Sequence, residues 1–556
     1  MLNRKSIILA VIATVLLLLP CLVVAFASID LNYSVVKQCG YLLMVLVCLL
    51  LPALFLRART YFIVEGIFNF LLFPIELASI YLNKQSATPL FIQTILSTNW
   101  AEATELLISF WWAVLVVVLL WVVYFCLVAR IENVYIFSRS WRKRLAVVCI
   151  FIGLSVYGAV GVVVWRCATV RTVSYILSDT HSKFWMKFEK IFPYNIYIGV
   201  CKWFQVQREW KQSQAALASF RFGVEPQEYP SANPLFVLYI GESARYDHFQ
   251  VNGYNRPTTP YLDTCSNLIS FHHIYSQANL TSLSVPLILT RATADNRALQ
   301  YSERSVVEAF AEAGFQTAFI EKNSYTLFVW RIMNTCSYHY LYSTGIDNSV
   351  YDTDMLCHLQ KTLSDSAQMA VLHSIGSHFK YCLRYPDEDA YFQPSMTAKD
   401  GYSTDEANKT AIINAYDNTI RQTDKALGEL IDYLRTLHRP AVVLYLSDHG
   451  ESLWDDARKL VLHGSYECAE AEYHIPFLVW YSDSYANLYP DKVKQMRANS
   501  NAHVSSQVVF HSLLDLADIQ QIVDSTHSVC SPYLQSTDTI MVLTGCGAVV
   551  PLVIEK

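Results

Sequence analysis

Five apolar runs, each near the roughly 20 residues that a bilayer's hydrocarbon core requires, crowd the first 166 residues of a 556-residue chain. They cover approximately residues 7–27, 40–56, 62–82, 106–128 and 145–165. A mean hydropathy of +0.26, high for a soluble protein, has its source here. The amino-terminal part therefore reads as a five-helix transmembrane domain, residues 1–166. The first run follows Arg4 and Lys5, as the core of a signal peptide does. Four more runs follow it, however, and no small-x-small cleavage site precedes the polar loop at Asp30, so it reads as a retained helix.

Lys and Arg set the orientation. Arg4 and Lys5 precede the first run, Arg57 and Arg59 separate the second from the third, and Arg130, Arg139, Arg142, Lys143 and Arg144 separate the fourth from the fifth. If every run crosses, all three clusters share one face, and the positive-inside rule makes that face the cytoplasm. The region after Arg166 then lies outside, in the periplasm of a bacterium with two membranes. A net charge of −5 gives no support for a nucleic-acid partner.

Residues 167–229 are rich in aromatic and basic side chains, among them Phe184, Trp185, Lys187, Phe188, Lys190, Trp203 and Trp210. They read equally as helices lying at a membrane surface or as an ordinary amphipathic linker. From Pro230 onward, strand-like runs alternate with helical patterns: a helix over Ser305–Ala313 before a strand at Thr317–Ile320, and a long helix over Ala411–Leu437 before a strand at Ala441. This alternation predicts an α/β domain, residues 230–556, with a mostly parallel sheet. Nine of the fourteen cysteines fall after Arg166, an odd number without a CxxC pattern; some pairing is expected there, with connectivity left open.

Two segments carry the chemistry. Pro234–Ile240 runs into Gly241-Glu242-Ser243, and Ala441–Leu446 runs into Ser447-Asp448-His449-Gly450-Glu451-Ser452. Each reads as a buried strand ending in an acid, and in open α/β sheets the functional crevice lies at the carboxyl ends of strands. Either acid alone reads equally as a helix cap. Together with His449 they form a carboxylate–imidazole set suited to zinc or manganese. Thr281, in Asn279-Leu280-Thr281-Ser282, reads as a helix N-cap or as a hydroxyl presented to a metal, where it would become an activated nucleophile. The glycosylation sequon that Asn279 and Thr281 also form is discounted as a chance match. His378, at the exit of an apolar strand, and His463 are candidates for proton transfer or phosphate contact. His373, inside that strand, reads as a satisfied core residue.

Gly241 to Arg245 followed by Asn252-Gly253-Tyr254-Asn255-Arg256-Pro257-Thr258-Thr259-Pro260 resembles the first signature of bacterial phosphoethanolamine transferases, inner-membrane enzymes of the sulfatase and alkaline-phosphatase superfamily. Thr281–Pro286, Tyr351–Leu356, Leu372-His373 with Gly376-Ser377-His378, Arg384-Tyr385-Pro386, Asn414–Thr419, Thr423-Asp424, Ser447–Ser452 and Leu462-His463-Gly464 are similar to further blocks of that family, in order. The resemblance implies a five-helix transmembrane domain plus a sulfatase-like α/β periplasmic domain. It implies Glu242, Thr281, Asp448 and His449 as ligands of a catalytic Zn2+, with a second zinc an open question. Thr281 would be the nucleophile, and His378 and His463 would act on the phosphoryl group, a second metal or the leaving group. Thr98, Asn99 and Glu102 look similar to the donor-binding stretch. The implied reaction transfers phosphoethanolamine from phosphatidylethanolamine, through a Thr281 ester, to lipopolysaccharide (lipid A or a core sugar) or another envelope glycan. Lipid A-modifying members carry several disulfides that this chain lacks around Met396–Asn408 and Asn334, which leaves the acceptor open. Three rivals remain: a glycerophosphate transferase of the lipoteichoic-acid-synthase type, a sulfatase, for which Thr281 lacks the Cys/Ser-x-Pro-x-Arg setting, and a non-catalytic membrane sensor.

Overall fold

The computed structural model describes residues 2–27, 45–49, 51–83, 86–97, 103–104, 111–167, 192–229, 233–323, 326–342, 351–397 and 406–554, with isolated residues between 177 and 188. Thr98, Asn99 and Glu102 lie outside the described residues. Two compact units emerge, one holding Met1–Leu96 and Phe110–Val206, the other drawn chiefly from Gln207–Lys556.

The first unit is helical: α1 (Arg4–Ala27), α2 (Ala58–Asn83), α3 (Trp111–Val128), α4 (Arg139–Cys167) and α5 (Tyr194–Ser219), the last crossing the division between the units. Residues 45–49 and 51–53 are also helical. Among the described residues, Ala58–Tyr81 and Arg139–Arg166 are long and apolar enough to span a membrane, and Val114–Val128 is a shorter apolar helix. Helix α4 leaves Phe151 and Leu154 about two-thirds exposed, the behaviour of a helix whose apolar surface meets lipid rather than protein. Inside the unit, the Tyr124 hydroxyl donates to the Phe62 carbonyl at 2.7 Å and that of Tyr61 to Leu49 at 2.8 Å.

The second unit is built on a seven-stranded sheet: β1 (Leu235–Gly241), β2 (Leu268–Phe271), β3 (Gln316–Glu321), β4 (Tyr338–Leu341), β5 (Gln368–His373), β6 (Ala441–Ser447) and β7 (Phe477–Tyr481). Their spatial order is β2-β7-β6-β1-β5-β3-β4, and β7 alone runs antiparallel to its neighbours β6 and β2. The central strands β1, β5 and β6 are buried along their whole length, as expected where helices cover both faces and apolar runs are continuous rather than alternating. The expected helix near residue 305 forms over Val306–Glu312, with a capping box between Ser305 and Glu308 that satisfies the first-turn N–H groups. The long helix is α7 (Lys409–Thr436), numbered after α6 (Thr281–Leu289). Among the described residues, Cys201, Cys265, Cys336, Cys357, Cys468, Cys530 and Cys546 form no disulfide.

Separate signature blocks meet in space. Asp417 on α7, fully buried, accepts from the Tyr254 hydroxyl at 3.1 Å, binds His248 Nδ1 at 2.6 Å and pairs with Arg256, whose other nitrogen reaches Asn414 at 2.6 Å. Asp424 accepts from the backbone of Tyr261 and Leu262. The Asn252–Pro260 segment is thereby clamped to α7. Asp417→Ala leaves Arg256 and His248 without their partner, and an unfolding titration of the second unit should show a loss of about 3 kcal/mol, the low end for a broken buried ion pair because Arg256 is partly exposed.

Candidate metal centre and nucleophile

Strand register assembles the site. β1 pairs in parallel with both β5 and β6, placing Gly241 beside Ser447 and Ile240 beside His373. The next residue of β1, Glu242, therefore emerges next to Asp448. Neither acid caps a helix: the short 3-10 turn that follows Glu242 starts only at Tyr246. The loop after β5 closes against Glu242, with the Ser377 N–H donating to the Glu242 carbonyl at 2.8 Å. Gly376 sits there at φ +42°, and a Cβ would fall 2.7 Å from the Glu242 nitrogen, so only glycine fits. Ser243 holds φ +56° without being glycine, and its N–H donates to Asp448 Oδ1 at 3.2 Å. Such backbone settings persist where surrounding bonds over-determine them.

Thr281 opens α6, but as its first helical residue; Leu280 occupies the N-cap and offers no capping side chain. The cap reading of Thr281 is thereby overturned. Its Oγ1 donates to Glu242 Oε2 at 3.0 Å and lies 3.3 Å from His449 Nε2. His449 Nε2 is 3.3 Å from Glu242 Oε1 and 3.4 Å from Asp448 Oδ2. The structure thus brings Glu242, Thr281, Asp448 and His449 together. His463 joins them, its ring centroid 4.1 Å from that of His449, and one ligand atom each of Glu242, His449 and His463 lie within 4.8 Å of one another. His378 stands at the edge, its ring 6.4 Å from His463.

The donor set fits a divalent cation. Glu242, Asp448, His449 and Glu451 are all fully buried. His449 directs its Nδ1 at the Gly450 carbonyl at 2.8 Å. Its Nε2 faces two carboxylates and a hydroxyl, carrying a proton when no cation is there and free to offer a lone pair to a cation that displaces it. Asp448 Oδ2 is buried without a hydrogen-bond partner, a costly state unless a cation meets it. Electrostatics report the same unmet demand. Burial and the neighbouring Glu242 charge raise Asp448 to about 7, and burial raises Glu451 to about 8. Against its burial, Asp448 and Glu242 lift His449 to about 10. The charge and hydrogen bond of His449 overcome burial to hold Glu242 well below the usual carboxylate range. Burial and then His449 depress His463 to about 3.

Three features escaped the sequence reading. Glu451, two residues after His449, places Oε2 at 3.1 Å from His463 Nδ1. Glu472, fully buried, accepts from Asn279 (2.7 Å), Ser452 (2.7 Å) and the backbone and hydroxyl of Ser465 (3.1 and 2.9 Å), tying the Thr281 loop to the His463 loop. Asn323 donates to Glu242 Oε2. Glu451 stood inside a segment already singled out. Glu472 and Asn323 follow no motif and are found only through contacts.

Comparison with known proteins agrees with this geometry. The Kdo(2)-lipid A phosphoethanolamine 7''-transferase of Escherichia coli is 29% identical over 303 residues, 52% of this chain and 51% of that protein. The chain spans about half the length of the curated relatives it matches. The zinc complex of the C-terminal periplasmic domain of EptC from Escherichia coli is similar with a TM-score of 0.51 and 25% identity, over 57% of this chain and 92% of that domain. The integral membrane lipooligosaccharide phosphoethanolamine transferase A (EptA) of Neisseria meningitidis shares the fold, with a TM-score of 0.69 at 19% identity, over 94% of this chain and 97% of that one. Residues 234–519, more than half of the chain and the whole of the sheet with its site, match the family described as Sulfatase, and the chain belongs to that family.

Proposed function

We propose that this protein is a multi-pass inner-membrane enzyme with its catalytic domain in the periplasm, transferring phosphoethanolamine from phosphatidylethanolamine to lipopolysaccharide or another envelope glycan. One observation carries the reading: Thr281 Oγ1 sits at the start of a helix, within 3.0 Å of Glu242 and 3.3 Å of His449, in a chain whose curated relatives include phosphoethanolamine transferases. The likeness to a zinc-bound relative supports zinc as the cation, held by Glu242, Thr281, Asp448 and His449. When bound, zinc supplies Lewis-acid charge at the phosphoryl group and favours the ionised form of a nearby hydroxyl.

The chain's own residues position the rest. Glu242 and His449 orient the Thr281 oxygen, and the uncapped first turn of α6 offers backbone N–H groups to phosphoryl oxygens. Thr281 Oγ1 attacks phosphorus; the bond from phosphorus to the diacylglycerol oxygen breaks, Thr281 gives up its proton and diacylglycerol leaves as an alcohol. In the second half, an acceptor hydroxyl attacks the phosphothreonine ester, loses its proton, and the Thr281 oxygen leaves and is reprotonated. His463 and His378 engage Nδ1 with Glu451 (3.1 Å) and the Phe379 carbonyl (2.7 Å), so Nε2 of each remains for proton transfer. Phosphoryl transfer asks a protein chiefly for such positioning and charge stabilisation.

Mass spectrometry of envelope glycolipids from cells with and without the protein tests the reaction. One acceptor should gain a single phosphoethanolamine unit, whereas a glycerophosphate gain would favour the glycerophosphate-transferring rival. Reporter fusions after Arg59, Asn99, Arg144 and Pro230 should read inside, outside, inside and outside. A cytoplasmic signal at Pro230 would overturn the compartment.

A further inference from the structure

Behind Glu242 lies a buried polar chain that the reaction scheme does not use. β5 pairs in parallel with both β1 and β3, so that His373 is level with Ile240 on one side and Glu321 on the other. Three adjacent strands thus deliver Glu242, His373 and Glu321 to one edge, with Asn323 two residues beyond β3. Glu321 and His373 have no exposed surface, and Asn323 is 3% exposed. Charged and polar side chains are seldom placed so deep without a partner or a task.

Their bonds have one direction. Glu321 Oε1 accepts the Asn323 backbone N–H at 2.8 Å, and Glu321 Oε2 lies 2.9 Å from His373 Nδ1. A ring nitrogen facing a carboxylate carries the proton, and the neutral ring then offers Nε2 as an acceptor to the amide. Asn323 Nδ2 lies 3.4 Å from that Nε2 and also donates to Glu242 Oε2. With two acceptors before it, the amide nitrogen cannot be exchanged for the amide oxygen without setting lone pairs against lone pairs. Glu242 is held from both sides: Oε2 takes Asn323 and Thr281 (3.0 Å), and Oε1 takes the Ser243 hydroxyl at 2.8 Å.

We infer that Asn323, locked by Glu321 and His373, is the positioning residue that fixes the plane of the Glu242 carboxylate toward the cation and toward Thr281. The inference rests on the reading of Glu242 as a metal ligand. Partners of this kind orient a ligand before the metal arrives, and losing one typically weakens metal binding by about 10–100-fold. It also gives His373 a task beyond filling the core: its Nε2 accepts the second amide hydrogen and so stops the Asn323 side chain from turning.

The test uses full-length protein in detergent, with zinc affinity read by competition against a chromogenic chelator and the visible spectrum read on the cobalt-loaded form. Asn323→Ala is expected to weaken zinc by about 10–100-fold and to shift the cobalt bands. Asn323→Leu keeps the volume without the amide and is expected to show the same loss, so it carries the test where the alanine variant does not fold. A lowered unfolding midpoint with zinc affinity and cobalt spectrum unchanged would make Asn323 a structural residue only and overturn the inference. Wild-type protein that binds no zinc would instead overturn the metal reading itself, a separate and distinguishable failure.

Discussion

Thr281→Ala is expected to abolish phosphoethanolamine transfer, by roughly a thousandfold or more in kcat, while Glu242, Asp448 and His449 keep much of the bound zinc. The side chain removed is the attacking oxygen itself, and losing a nucleophile eliminates the covalent route rather than slowing it. Structural damage should be small. Thr281 is the first residue of α6 and not its cap, so the helix keeps its backbone bonds. Thr281→Ser retains an oxygen but frees its rotamer, and partial activity is expected. Wild-type protein incubated with phosphatidylethanolamine and no acceptor should add a phosphoethanolamine mass to the peptide containing Thr281, and the alanine variant should not. A wild-type rate in Thr281→Ala would eliminate the ester and leave direct attack by the acceptor as the better scheme.

Removing the cation should also lower stability measurably. Glu242, Asp448 and Glu451 are fully buried within one site, and a buried carboxylate left without its cation is costly and is driven to take up a proton. A cation at 100 times its Kd stabilises the folded form by about 2.7 kcal/mol, so chelation should lower the unfolding midpoint of the unit spanning Gln207–Lys556 by about 4 °C. Asp448→Ala should greatly reduce zinc content; full occupancy would remove Asp448 from the coordination sphere. The chelated form carries a pH signature. Asp448 at about 7, Glu451 at about 8 and His449 at about 10 all hold their protons more tightly when folded than when unfolded. The stability these protons contribute is lost as pH rises through those values. Glu242, shifted downward, is deprotonated in both states above pH 6.5, and His463, still half protonated at pH 6.5 when unfolded, offsets part of this loss near pH 6.5 without reversing it. Between pH 6.5 and 8 the chelated protein should therefore lose stability with rising pH, and the protection given by zinc should grow. Protection that shrinks toward pH 8 would contradict the site's electrostatics.

Much of the α/β domain was legible along the chain because its signals are local. Continuous apolar runs marked β1, β3 and β6 within a residue or two, and the amphipathic period marked α7; β5 began three residues earlier than its run suggested and ended at His373, five residues before His378. Strand ends carrying Glu242 and the Asp448-His449 pair pointed to the crevice, since a parallel sheet sends all its carboxyl ends to one side. The membrane runs were equally plain, although of the five only Ala58–Tyr81 and Arg139–Arg166 stand out among the described helices as long and apolar enough to span.

Sequence by itself determined which residue types were available and which strand ends would hold them, because hydrophobic period and strand-terminal acids are properties of neighbouring residues. Tertiary structure alone decided how they meet. Register set Gly241 beside Ser447, and so Glu242 beside Asp448. The helix start at Thr281 turned a plausible cap into an oxygen facing a carboxylate. Asp417 clamped Arg256 from 161 positions away, Glu472 joined two loops, and His373 proved to be a core residue that also holds Asn323 against Glu242. None of these contacts leaves a periodic trace in the chain, since a hydrogen bond between distant residues depends on where two backbones are brought by the core, and the core is a collective property of the whole fold.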